Sequence, residues 1–253
     1  MIILSFLFFI TAISYSSVGF GGGSTYLALL LIWDIPYHIF PILALLCNII
    51  VVLNSSFNYV SSGNHNFKLL IPFLLGSVPL AFVGGTLLIE KELFEILLFI
   101  ILITAGFLLL INNKSYNEKN NNIQKISFLI SFLIGSTLGF ISGIVGIGGG
   151  IFLSPILFLL KAERPRIIIT TASLFILINS ISGVLGQLTK EIVYNEIFNF
   201  WPLFLSVLID GLIGEIHKYQ GEYVEDGVNI LMVHDPKLYW VEAYVNESQI
   251  RHV

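Results

Sequence analysis

Long apolar runs broken by short polar punctuation dominate the first 209 positions. Met1 to Trp33 carries no charged side chain, and Pro36–Phe57, Leu69–Ile89, Leu93–Ile111, Ile126–Leu160, Ile167–Leu188 and Ile197–Ile209 follow it. Between them stand Asp34, Lys68, Glu90-Lys91-Glu92 and the stretch from Lys161 to Arg166. A helix needs about 20 apolar residues to cross the roughly 30 Å hydrocarbon core. Backbone in lipid must satisfy its own hydrogen bonds, so runs of this kind are helices. The pattern predicts an all-α polytopic membrane protein with six or seven crossings.

One loop, Asn112–Lys125, is strongly polar and reads as a solvated linker between two halves. The organisation expected is a first transmembrane repeat at 1–112, a polar linker at 113–125, a second transmembrane repeat at 126–209 and a short β-rich tail at 210–253. In the tail, apolar and polar residues alternate between Gly, Asp and Pro punctuation, which is a strand signal. Met1–Thr11 lacks the basic start and the small-residue cleavage pattern of a signal peptide, so it reads as part of the first span.

Composition sharpens this division. Of 253 residues, 56% are hydrophobic and 11% charged, against about 25% charged in ordinary domains. The formal charge of −4 argues against a nucleic-acid partner, and the single cysteine, Cys47, excludes an intrachain disulfide framework. Residues 210–253 hold three basic and eight acidic side chains, whereas 1–209 hold nine and eight. If every run crosses once, five lysines share the side of the N-terminus and four cations lie opposite, which leaves the orientation open.

The most informative feature is a repeat at an offset of 127 residues. Val18-Gly19-Phe20-Gly21-Gly22-Gly23 pairs with Val145-Gly146-Ile147-Gly148-Gly149-Gly150. Each glycine costs about 0.8–1 kcal/mol relative to Ala inside a helix, so four in six residues favour a break. A helix restarting at membrane depth exposes free N–H groups and the positive end of its dipole, both of which favour an anion. The alternative is that these glycines let helices pack closely. Neither run is a dinucleotide fingerprint, since Ser24 and Ile151 occupy the place of its last glycine. The expected substrate site comprises Gly19, Gly21, Gly22, Gly23 and Ser24 from the first copy and Gly146, Gly148, Gly149 and Gly150 from the second. Ser17, Thr25, Asn48 and Asn179 are the candidate polar lining. For any one hydroxyl or carboxamide, a bond to a neighbouring helix carbonyl is the competing role.

Ser17-Val-Gly-Phe-Gly-Gly-Gly23, Gly143-Ile-Val-Gly-Ile-Gly-Gly-Gly150 with Pro155, Thr170–Gly183 and the Pro72, Gly76, Pro79, Gly84 spacing together resemble the sulfite exporter TauE/SafE family over about residues 3–208. The resemblance implies about eight helices in two repeats and transport of sulfite or a related organosulfur or organic anion across the cytoplasmic membrane. The counterpart of Leu93–Ile111 at the same offset falls near 220–238, which is too polar to cross, so the second repeat reads as lacking its last helix. Asp210–Gly227 and Tyr239–Ile250 instead resemble the half-lipoyl and following barrel segments of HlyD-type membrane fusion proteins. A junction of two unrelated pieces near residue 209 is one explanation, and a natural fusion whose tail docks on a partner is the other.

Three functions follow from these residues. The first is a secondary permease for a small anion, since no G-x-x-x-x-G-K-[ST] motif implies ATP hydrolysis. The second is an adaptor or assembly subunit acting through the acidic tail. The third is an intramembrane enzyme, which the lack of an acid–base pair within the spans disfavours. No cofactor is expected. No metal is expected either, because His217, His234 and His252 are scattered. The expected partners are the lipid bilayer, a small anionic substrate, further copies of the chain and an unspecified partner of the tail.

Overall fold

The computed structural model describes residues 1–16, 19–33, 35–61, 63, 65–111, 123–190, 197 and 199–210, together with the backbone of 213–216, 231–234 and 240–242. The helices are α1 (Ile2–Ser16), α2 (Gly23–Ile32), α3 (Phe40–Ser61, entered through a 3-10 turn at Tyr37–Ile39), α4 (Phe67–Thr86) and α5 (Lys91–Ile111). They continue with α6 (Phe128–Val145), α7 (Gly150–Leu159), α8 (Pro165–Gln187) and α9 (Trp201–Asp210). Three short strands, β1 (Ile213–Ile216), β2 (Leu231–His234) and β3 (Trp240–Glu242), pair antiparallel in that order. Most of the expected linker, and Ser17, lie outside the described residues.

Both glycine-bearing runs fold as broken helices. Met1–Trp33 becomes α1 and α2, and Ile126–Leu160 becomes α6 and α7. Helices α2 and α7 have ten residues each, and their bounds are related by the same offset of 127. At 1.5 Å per residue each is about 15 Å long, half the hydrocarbon thickness. Among the described residues, four segments are long and apolar enough to cross a membrane: Tyr37–Ser61, Phe67–Thr86, Phe128–Val145 and Pro165–Gln187. Among the described residues of the run expected to cross at Ile197–Ile209, the helix given bounds is the ten-residue α9, which also takes in Asp210, assigned from the sequence to the tail.

Helix α4 packs against α6 and α8, while α9 packs against α1 and α3, and α3 crosses α8. The closest contact, α4 on α6, depends on missing side chains. Gly135, Gly139 and Gly143 recur every four residues on one face of α6, and each backbone sits against the main chain of Phe73, Ser77 or Ala81 in α4. From the other side, Gly76 and Gly84 face the carbonyls of Phe132 and Phe140. Lipid gives no hydrophobic drive for helix association, so stability there comes from this dispersion contact and from interhelical hydrogen bonds. One such bond runs from Ser182 Oγ to Val78 O at 2.6 Å, and another from Gln187 Nε2 to Gly143 O at 2.9 Å.

The outer surface is apolar. Ile71, Leu75, Ile96, Phe99, Ile103, Phe107, Leu129 and Leu133 are all exposed. Water would penalise so continuous an apolar surface, whereas acyl chains solvate it. Inside, the ring of Phe8 stacks on Tyr26 at 4.6 Å between centroids, tying α2 back onto α1 after the break.

Candidate functional site

Helix α1 closes with Gly19 N donating to Ser16 O at 3.0 Å and Phe20 N to Tyr15 O at 2.9 Å. The chain then passes through left-handed conformations at Gly19 (φ +80°) and Gly22 (φ +72°). In the second copy the left-handed residues are Gly146 (φ +90°), Gly148 (φ +81°) and Gly149 (φ +79°). Only glycine takes up such angles without steric cost. The first bonds of α2 run from Thr25 N and Tyr26 N to Gly22 O, and those of α7 from Phe152 N and Leu153 N to Gly149 O. The amides of Gly23, Ser24, Gly150 and Ile151 therefore stand ahead of both helical ladders. Neither helix has a side-chain cap at its N-cap residue, Gly22 or Gly149.

The two breaks meet. A Cβ added at Gly23 would lie 2.8 Å from Ile147 O in the second break, so the strands of chain pass at backbone distance. Between them sits Asn48 of α3, which is fully buried. Its Nδ2 donates to Ile147 O at 3.1 Å, and its Oδ1 has no hydrogen-bond partner. Because a carbonyl only accepts, Ile147 O fixes which end of the carboxamide faces it. Oδ1 is thereby directed toward Gly21 and Gly23 at the start of α2. Across the site, a Cβ at Gly148 would lie 3.0 Å from Asn48 Nδ2 and 3.1 Å from Ser180 Oγ.

Ser180 belongs to a buried polar stretch of α8. Its hydroxyl has no partner, and neither polar atom of the fully buried Asn179 beside it has one. Buried polar atoms are nearly always paired, so a group of unmatched ones marks a place where something polar is met. Nearby hydroxyls behave differently: Thr170 and Thr171 donate to the carbonyls of Arg166 and Ile167 four residues back, the ordinary role of Thr in an apolar helix. Thr25 is also engaged, with its Oγ1 2.9 Å from Tyr15 Oη across the first break.

The expected residues thus divide. Gly19, Gly21, Gly22, Gly23, Gly146, Gly148, Gly149 and Gly150 form the two breaks, and Asn48 joins them. Ser24 is buried in the first turn of α2, Thr25 serves α1, and Ser17 is not described. Ile147 O, Ser142 and Ser180 were missed. Ser142, whose buried hydroxyl is also without a partner, stands one turn before Gly146. The Asn179-Ser180 pair in an apolar run was the sequence signal for Ser180.

The electrostatics come from backbone. Helices α1, α2, α3, α6 and α7 contain no Asp, Glu, Lys or Arg, and α4 and α8 have one cation each, Lys68 and Arg166, at their second residues.

Apolar spanning helices, a lipid-facing belt and paired helix breaks at the centre define an integral membrane protein of the transporter class. The chain belongs to the sulfite exporter TauE/SafE family, whose sequence model matches residues 4–216. The match therefore extends past residue 208, where the resemblance read from the sequence stopped, and ends within the segment likened to adaptor proteins. A probable membrane transporter protein of Sinorhizobium fredii (y4hK) is 27% identical over 84% of this chain and 86% of its own length. A second, from Bacillus subtilis (YunE), is 23% identical over 68% of this chain and 72% of its own. A third, from Methanocaldococcus jannaschii, is 30% identical over 61% of this chain and 59% of its own. No solved structure matches.

Proposed function

We propose that the protein is a secondary permease of the cell membrane that moves a small oxyanion of the sulfite class. The anion binds between the N-termini of α2 and α7, where the amides of Gly23, Ser24, Gly150 and Ile151 and the side chains of Asn48 and Ser180 converge. The observation that carries this reading is the meeting of two uncapped helix starts across a buried, half-satisfied carboxamide. Helix dipoles favour anions at such ends, most strongly where water is excluded. Broken helices near the midplane of repeated halves are a recurrent transporter construction. The halves proposed here are α1–α5 and α6–α9. Under the 127-residue offset, the contact of α4 on α6 corresponds to that of α9 on α1.

Gly22→Leu and Gly149→Leu test the proposal. Each forces a branched side chain into a left-handed turn, a conformation that costs roughly 1–2 kcal/mol, and fills the space before a helix start. Radiolabelled sulfite flux into proteoliposomes should fall to background while both variants still insert. Flux equal to the natural protein's would overturn the site. The second reading, an adaptor working through residues 210–253, draws on the three short strands there. Under it the chain itself carries no sulfite and deleting 210–253 abolishes co-purification of a partner, whereas under the permease reading loss of the tail changes flux little.

A further inference from the structure

The positive charge available to hold an anion between α2 and α7 is small and countable. The helices that bound the site supply no basic side chain at this depth, as Arg166 stands in the first turn of α8 and Asn48, from α3, faces the start of α2 and the break before α7. The remaining titratable side chains of α2 and α3 are Tyr26, Cys47 and Tyr59. Helices α6 and α7 have none, and His38 lies in the turn before α3. No carboxylate or imidazole stands within α2, α3, α6, α7 or α8. Each helix N-terminus acts as roughly half an elementary positive charge, so two together match about one negative charge. A dianion would keep a full charge uncompensated in a dry space.

A second, independent observation concerns hydrogen. Asn48 Oδ1 is fully buried, lies at the start of α2 and has no donor, while Asn48 Nδ2 is held by Ile147 O, so the carboxamide presents its acceptor there. Carboxamide oxygens only accept. A fully ionised oxyanion would set lone pairs against lone pairs there. A ligand suited to both the amides and the Asn48 oxygen must accept and donate.

Resting on the permease reading above, we propose that the site selects a monovalent oxyanion that still bears one acidic proton, so that hydrogen sulfite and not the sulfite dianion is carried. The proton is donated to Asn48 Oδ1, and the other oxygens accept from the helix amides. No bond is made or broken. The proton crosses on the substrate, which removes any need for a carboxylate relay inside the spans. Each turnover moves one proton and one net negative charge.

The test uses the full chain in proteoliposomes, with labelled sulfite and labelled sulfate as probes and protein-free vesicles subtracted. At fixed total sulfite, flux should track the hydrogen sulfite fraction. It should therefore drop about tenfold per pH unit once the pH exceeds the second ionisation of the acid. Sulfate should not be carried, and nitrate, a monoanion with no proton, should compete at least tenfold less well than hydrogen sulfite. Asn48→Asp keeps the shape of the side chain and adds a fixed charge; it should cut flux at least tenfold at the pH where the natural protein is fastest. Flux that ignores pH, sulfate carried as fast as sulfite, or nitrate competing equally would overturn the proposal while leaving the permease intact. No flux of any probe at any pH would overturn the permease reading and this inference with it.

Discussion

At the scale of single residues, glycine has two jobs in this protein, to take up left-handed angles in the turns and to let main chains approach, and Gly146 does both. Gly22 and Gly149 have φ of +72° and +79°, so a side chain there strains the turn whatever the space around it. Gly22→Ala and Gly149→Ala should each lower thermal stability in detergent by about 1–2 kcal/mol, read from the melting curve against the natural protein. A melting temperature unchanged by both would show that these turns relax freely. The sequence made the breaks legible because four glycines in six residues outweigh any helical preference of their neighbours. It did not make Asn48 legible as the residue between them, since its partner carbonyl, Ile147 O, is 99 positions away. An Asn in an apolar helix is a candidate for many roles, and only the crossing of α3 by the second break selects this one.

Among the elements, the α4–α6 contact is set by the glycines that are not in the breaks. Gly135, Gly139 and Gly143 lie one turn apart, and each rests on α4 main chain. Gly139→Leu should force the helices apart and give a protein that aggregates on extraction, measured by the loss of the monodisperse peak in size-exclusion chromatography. Gly106 on α5 is the internal control, because nothing lies within 4 Å of a Cβ placed there. Gly106→Ala should be neutral or stabilising by up to about 1 kcal/mol. Aggregation of Gly106→Ala, or an intact Gly139→Leu, would contradict this account. The spacing of the three glycines was present in the sequence. The identity of the facing helix was not, because periodicity describes one helix at a time. The close-packing role weighed for the glycine runs is shared by this second set, four residues apart and N-terminal to the second break, and by Gly23 and Gly146 within the breaks, which also lie against main chain. The ten-residue length of α9, shorter than its apolar run, was also beyond what hydropathy shows.

For the molecule as a whole, one partly buried charge is bonded to an end of the central bundle. Beyond the C-terminus of α8, Lys190 Nζ donates to Gln187 Oε1 at 2.8 Å, and Gln187 in turn reaches the carbonyl of Gly143 on α6. Burial pushes the Lys190 ammonium down from its ordinary 10.5 to about 8. Below about pH 8 both folded and unfolded chains hold this proton, and the cost of burying the charge is fully present. Between about 8 and 10.5 the unfolded chain binds more protons, so stability should rise with pH across that window. Melting curves in detergent from pH 7.5 to 10.5 should show the rise in the natural protein and its absence in Lys190→Met. A slope of opposite sign would mean that the lysine is held charged. Elsewhere the described helices of the bundle have little that titrates, and the recognition of a solute proposed above rests on main-chain amides together with the carboxamide of Asn48. Of the point mutations, only replacement by proline deletes a peptide N–H. Drift in the gene can therefore wreck the amide part of such a pocket by obstructing it, yet can hardly retune it one contact at a time, so chains of this construction should keep a preference for anions long after most of their side chains have diverged, with the choice of protonation state left to the one carboxamide at Asn48.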